Sequence, residues 1–184
     1  NDLKLIIDVI NKLKINTLRK TRDKALILLG FAGGFRRSEL VAIENDDIEF
    51  VREGVKIFVK RSKTDQSGEG MTKAIPSFHS STYCPVLHLQ DWVYKKEGKK
   101  GKIFSISDKS VALIIKKYTN LAGLDGNKYA GHSLRSGFAT SAAEAGAEER
   151  SIMAMTGHKS TEMVRRYIKE ANLFKNNALN KIKI

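Results

Sequence analysis

"DIEFVREGVKIFVKRSKTDQSGEGMTKAIP", residues 47–76, is where the character of the chain changes. β-Branched and aromatic residues alternate with polar ones, and the alternation breaks at Glu53-Gly54 and again from Ser67 to Gly70, as at two successive hairpin turns. Three short antiparallel strands are expected, near 46–51, 55–61 and 71–75. The acid cluster "ENDDIE", Glu44 to Glu49, reads as the turn into the first of them, with no histidine or further acid beside it at metal-ligand spacing.

Outward from this stretch the spacing is helical. Apolar residues recur every three or four positions from Leu3 to Leu13, and Arg22 to Phe31 is nearly continuous, as in a buried helix, until Gly33 and Gly34 end it. After the strands, Pro85 suits the first turn of a helix running to about Lys96, and Ser107 or Asp108 can cap another to about Ala122. Gly146 and Gly157 punctuate helices near 132–145, 148–155 and 160–171, the last with Ser160 as its N-cap, and a weak helix is expected over 173–182. The fold class expected is α+β, mostly helical, with a small three-stranded antiparallel sheet.

At 184 residues and 41% hydrophobic, the chain suits one domain with a proper core. Lys and Arg number 33 against 20 Asp and Glu, a net charge of +13, so a polyanion is the natural partner, although a basic surface also serves solubility. No run approaches the length of a spanning helix and no signal-peptide pattern opens the chain, which favours nucleic acid over membrane. With Cys84 alone there is no intrachain disulfide and no cysteine cluster for zinc; a structural thiol and a cytoplasmic location are expected. The opening Asn-Asp-Leu, without methionine, is expected of a fragment of something longer. "KKEGKKGK", 95–102, is either a phosphate contact or a solvated loop between helices.

Several residues could carry chemistry, and each has an ordinary structural reading. His132 and Arg135 stand three apart at a helix start, where an imidazole and a fork of donors make an anion site, although HxxR is common on surfaces. His158, after Gly157, could donate to a phosphate oxygen or cap a neighbouring carbonyl. Tyr167 shares a stripe with Met163, Val164, Ile168 and Ala171, so its ring belongs to the buried face whatever its hydroxyl does. Arg36 and Arg37 follow a glycine pair, with Glu39 placed to hold Arg36 or simply to sit in an ordinary helix start. Lys63 lies near a hairpin tip, in a groove or in solvent.

Taken in order, "GGFRRSEL", a hairpin Lys, "HSLRSGFAT", "GH" and a Tyr nine residues later resemble the tyrosine recombinase, or phage integrase, family, from about Arg22 to Ala171. The resemblance implies a DNA-cleaving catalytic domain over residues 1–184, without the separate N-terminal DNA-clamping domain of many relatives. Arg36, Lys63, His132, Arg135, His158 and Tyr167 would be catalytic, with Glu39 supporting the arginines. Two departures stand out: Arg37 fills a place more often apolar or small, and Thr156 one where Leu is frequent.

The chemistry so implied is transesterification. Arg36, Arg135 and His158 would steady the pentacoordinate phosphorane; His132 would accept or relay the phenolic proton; Lys63 would protonate the leaving 5′ oxygen. The product would be a 3′-phosphotyrosyl link that reseals to another strand without ATP, metal or other cofactor. The partners implied are double-stranded DNA and three further copies in a homotetramer on paired sites, with a monomer as the alternative for the isolated fragment. The C-terminal tail, with Leu173, Phe174, Leu179 and Ile182, would dock on a neighbouring protomer or pack on its own domain. Rival readings are a catalytically inactive DNA-binding relative, a type IB topoisomerase-like enzyme and a metal-dependent nuclease.

Overall fold

The computed structural model describes residues 2–60, 68–96, 100–129, 132–158, 160–172 and 182, the side chain of Ala171 excepted. Amphipathic spacing yields α1 (Asp2–Lys12), which buries Ile6, Ile7 and Ile10. The central helix is α2 (Thr17–Ala32), buried without a break from Ala25 to Gly30 and covered by α1 and by three later helices. It starts earlier than its apolar spacing predicts. Asn16 caps it by accepting from the Arg19 N–H at 3.2 Å, and a polar first turn has no apolar period to announce it.

The glycine turn leads into α3 (Arg37–Ala42) and then a 3-10 turn at Asn45–Asp47, in which the Asp47 carboxylate accepts from the Glu44 N–H at 2.9 Å. This turn consumes the acid cluster, so β1 (Ile48–Val51) starts two residues later than expected. β2 (Gly54–Val59) and β3 (Met71–Pro76) complete an antiparallel sheet in the order β1-β2-β3, with Phe50 opposite Val55 and Val55 opposite Ile75. Its buried face carries Val55, Ile57, Val59 and Ile75, and also Lys73. The segment after Lys60, including Lys63, lies outside the described residues.

α4 (Pro85–Lys95) has Pro85 in its first turn, and the buried Cys84 thiol before it accepts from the Phe78 N–H at 3.3 Å, a structural place for the one cysteine. Ser107 caps α5 (Asp108–Leu121) by accepting from the Ser110 N–H. Tyr118 of α5 donates its hydroxyl at 2.7 Å to Asp23 of α2, a carboxylate that is 1% exposed and also held by Arg22. In the lysine-rich stretch, Lys95 donates to Thr21 and Asp91 and Lys96 to the Lys102 carbonyl. Among the described residues no helix is long and apolar enough to cross a membrane.

α6 (Ser133–Glu144), α7 (Glu149–Thr156) and α8 (Thr161–Asn172) close the fold. Ser160 accepts from the Glu162 N–H as an N-cap does. Ala139 and Ala143 of α6, Ile152 of α7 and Val164 of α8 form a small second core, while Leu134 joins the first turn of α6 to the main one. Small residues on α6 let α8 lie close to it, and this fixes where Tyr167 stands. The weak helix expected over 173–182 falls outside the described residues, Ile182 excepted.

Candidate active site

The site is organised by the turn between α2 and α3. Gly34 has φ +54, a left-handed conformation in which a Cβ would also lie 3.1 Å from Phe138 Cδ1 and 3.2 Å from Thr156 Cγ2. With no side chain in the way, both turn carbonyls face inward to cations from other elements. The Gly33 oxygen accepts from Lys73 Nζ at 2.7 Å, and the Gly34 oxygen from Arg135 Nη1 at 3.2 Å.

Arg36 is the N-cap of α3, and Glu39 is the residue that holds it. One Glu39 oxygen accepts from the Arg36 main-chain N–H at 2.9 Å and the other from Arg36 Nη1 at 2.6 Å. Burial alone would push the Glu39 carboxyl up, but the Arg36 N–H and the charges of Lys73 and Arg36 outweigh it and hold it below the ordinary value. Lys73 lies 4.0 Å from Glu39 and 4.4 Å from the centre of the Phe35 ring, and burial brings it down to about 8.

Arg135, on α6, is 5% exposed. Its Nη1 also donates to the Thr156 carbonyl, whereas Nη2 is buried with no hydrogen-bond partner among the described residues. A buried guanidinium nitrogen without an acceptor is costly unless an anion completes it. Burial, then the nearby Arg36 charge, lowers Arg135 to about 10, while Glu39 and Tyr167 act the other way.

His158 follows Gly157, whose φ of +65 ends α7, and its Nδ1 lies 2.8 Å from the Thr156 hydroxyl. Burial first, then Arg135, Arg36 and Lys73, bring the imidazole down to about 4. Tyr167 packs its half-buried ring on the second core, close enough to Arg135 for a charge on its oxygen to stabilise the guanidinium. Arg165 and Arg166 turn outward, to Glu149 and Glu170.

Arg36, Glu39, Arg135, His158 and Tyr167 thus come from four segments to one pocket. Arg37 turns away toward the Asp108 carbonyl, at 3.5 Å, whereas Arg36 turns to Glu39. His132 is the exposed N-cap of α6. Two residues escaped sequence reasoning. Lys73 was signalled by the alternation itself, which puts it on the same strand face as Ile75. Thr156 stood out only as a departure from the frequent Leu, with nothing in the sequence to say which groups it holds. Three buried or half-buried cations, Arg36, Arg135 and Lys73, face one carboxylate, Glu39, so the pocket carries a positive excess suited to a phosphate.

The sequence model of the phage integrase family matches residues 1–173. The chain belongs to the phage integrase family. An integrase/recombinase XerD homolog of Selenomonas ruminantium is 48% identical over 192 residues, 98% of this chain and 55% of that one. Tyrosine recombinase XerC of Syntrophus aciditrophicus is 31% identical over 159 residues, covering 79% of this chain and 48% of that one. The chain spans about half the length of these curated relatives. Among solved structures, the post-cleavage complex of the XerH site-specific recombinase with a palindromic difH substrate has a TM-score of 0.74 at 20% identity, over 96% of this chain and 52% of that one. The XerA recombinase structure also gives 0.74, at 18% identity, over 100% of this chain and 62% of that one. These two share the integrase fold seen here, with its helices and three-stranded sheet.

Proposed function

We propose that this phage integrase chain is the catalytic part of a site-specific DNA recombinase that breaks and rejoins strands through a 3′-phosphotyrosyl intermediate. The observation that carries the reading is the buried Nη2 of Arg135, without a hydrogen-bond partner among the described residues, in a cationic pocket that Tyr167 borders. The Tyr167 oxygen attacks a phosphodiester, the P–O5′ bond breaks, and a 5′ hydroxyl leaves. Charge on the non-bridging oxygens of the phosphorane is met by Arg36, Arg135 and His158; a preorganised donor of this kind is typically worth about 10²–10³ in rate.

The phenolic proton must leave as the new P–O bond forms. His132, exposed at the mouth of α6, is assigned that proton, and Lys63 the protonation of the leaving oxygen. Ester is exchanged for ester, so the step draws on no ATP, and the arginines supply the charge a metal would otherwise bring. Assembly as a homotetramer on two paired duplexes, with the tail after Asn172 bridging protomers, completes the reading.

The test uses a duplex selected from a randomised pool by binding to this chain, then nicked near the centre of the selected site. Covalent protein on the 3′ end, retained in EDTA and lost in Tyr167→Phe, supports the recombinase. Binding without adduct supports a non-catalytic DNA-binding relative, chelator-sensitive cleavage a metal nuclease, and relaxation of supercoils without joining of two sites a topoisomerase-like enzyme.

A further inference from the structure

Thr156 is fully buried at the end of α7 and serves two groups of the pocket at once. Its carbonyl accepts from Arg135. Its hydroxyl lies 2.7 Å from the Ile152 carbonyl and 2.8 Å from His158 Nδ1. A carbonyl can only accept, so the hydroxyl proton goes to Ile152, and what Thr156 turns toward the imidazole is a lone pair. A bond to Nδ1 then needs the proton on Nδ1. In the neutral ring this leaves Nε2, on the opposite side, bare.

We propose that Thr156 is a positioning residue that locks His158 as the Nδ1–H tautomer, so that Nε2 is a proton acceptor in the free chain and becomes a donor to a phosphate oxygen only by taking up a proton from solvent as the anion enters. Among the described residues, the charged groups that act on His158 are Arg135, Arg36 and Lys73, all cations that oppose a second ring proton. An entering phosphate reverses that balance. It cannot bond a bare Nε2, because both are acceptors, but it stabilises the imidazolium that can donate to it. The histidine is thereby charged in step with its substrate rather than beforehand. Only the part played by phosphate rests on the reading under Proposed function; the tautomer is a property of the free chain.

Nitrogen-15 shifts of the His158 ring decide the matter, assigned by the signals lost in His158→Gln. In wild type near neutral pH, a pyrrole-type Nδ1 and a pyridine-type Nε2 are expected, with Thr156→Ser the same. Thr156→Val keeps the buried methyl packing and loses only the hydroxyl; its ring should relax toward the Nε2–H tautomer that an unconstrained imidazole favours. Pyridine-type Nδ1 in wild type overturns the proposal whatever the variants do, and so does an unchanged tautomer in Thr156→Val. Inorganic phosphate should then move Nε2 of wild type to a protonated shift, and a Nε2 that stays pyridine-type at saturating phosphate overturns the proton uptake. A failure to trap a Tyr167 adduct on DNA would leave the tautomer readings standing, so the two ideas fail separately.

Discussion

Lys73 sets its ammonium 2.7 Å from the carbonyl oxygen of Gly33, joining the sheet to the turn that carries Arg36 through a cation that is 1% exposed. Burial lowers this lysine from 10.5 to about 8. Below about 8 it is charged in folded and unfolded chains alike, and the folded state bears the full desolvation. Between about 8 and 10.5 the unfolded chain keeps a proton that the folded chain has released, so the contribution of Lys73 to stability rises with pH, by on the order of 1.4 kcal/mol per unit. Urea midpoints of wild type and Lys73→Met across this range should diverge in favour of wild type as pH rises; a constant gap would mean that the ammonium is not desolvated.

Tyr118 and Asp23 bond at 2.7 Å far from the pocket. Removing a donor to a buried carboxylate typically costs about 1.5–3 kcal/mol. Tyr118→Phe should therefore lower the unfolding free energy by that amount, read from urea denaturation, with adduct formation by the folded protein unchanged. A loss of adduct at full folding would mean that the α2–α5 contact steers the site.

Gly34→Ala separates backbone strain from contact. A non-glycine residue in the left-handed region costs roughly 1–2 kcal/mol, and here the new Cβ also meets Phe138 and Thr156. Gly123, with φ +75 and nothing within 4 Å of an added Cβ, is the control. Both alanines should be destabilised, but only Gly34→Ala should reduce adduct yield as well, because only it displaces Thr156 and with it His158. Equal activity in the two variants would sever the turn from the chemistry.

The sheet and the helices after it were legible because two periodicities, one of two residues and one near 3.6, are written in the apolar residues of "DIEFVREGVKIF" and of the flanking segments. What escaped is held by polar contacts. The first turn of α2 depends on Asn16, and the start of β1 on the hydrogen bond between Asp47 and Glu44. Motif order singled out Arg36, Arg135, His158 and Tyr167 as candidates, yet not the groups that hold them. Nothing in "KAIP" says that Lys73 reaches Gly33, and nothing in "MTGH" says that the two polar ends of Thr156 hold Arg135 and His158, because those contacts join segments far apart in the chain or fold back within one helix turn.

Nη2 of Arg135, which has no hydrogen-bond partner among the described residues, gives the last prediction. A folded protein that holds a buried donor open gains stability from any ligand that fills it, by RT ln(1 + [L]/Kd), or about 2.7 kcal/mol at a hundredfold excess over Kd. Inorganic phosphate stands in for the DNA phosphodiester. It also stabilises proteins generally by exclusion from their surfaces, so a raised Tm in wild type proves nothing by itself. Arg135→Gln supplies the missing reference, since it keeps the general effect and removes the specific one. At matched ionic strength, the rise in Tm from chloride to phosphate should be larger in wild type than in Arg135→Gln, and the excess should saturate with phosphate concentration. Equal and unsaturable rises in the two proteins would mean that the pocket does not bind the anion its charges call for, and the role given to Arg135 in steadying the phosphorane would go with it.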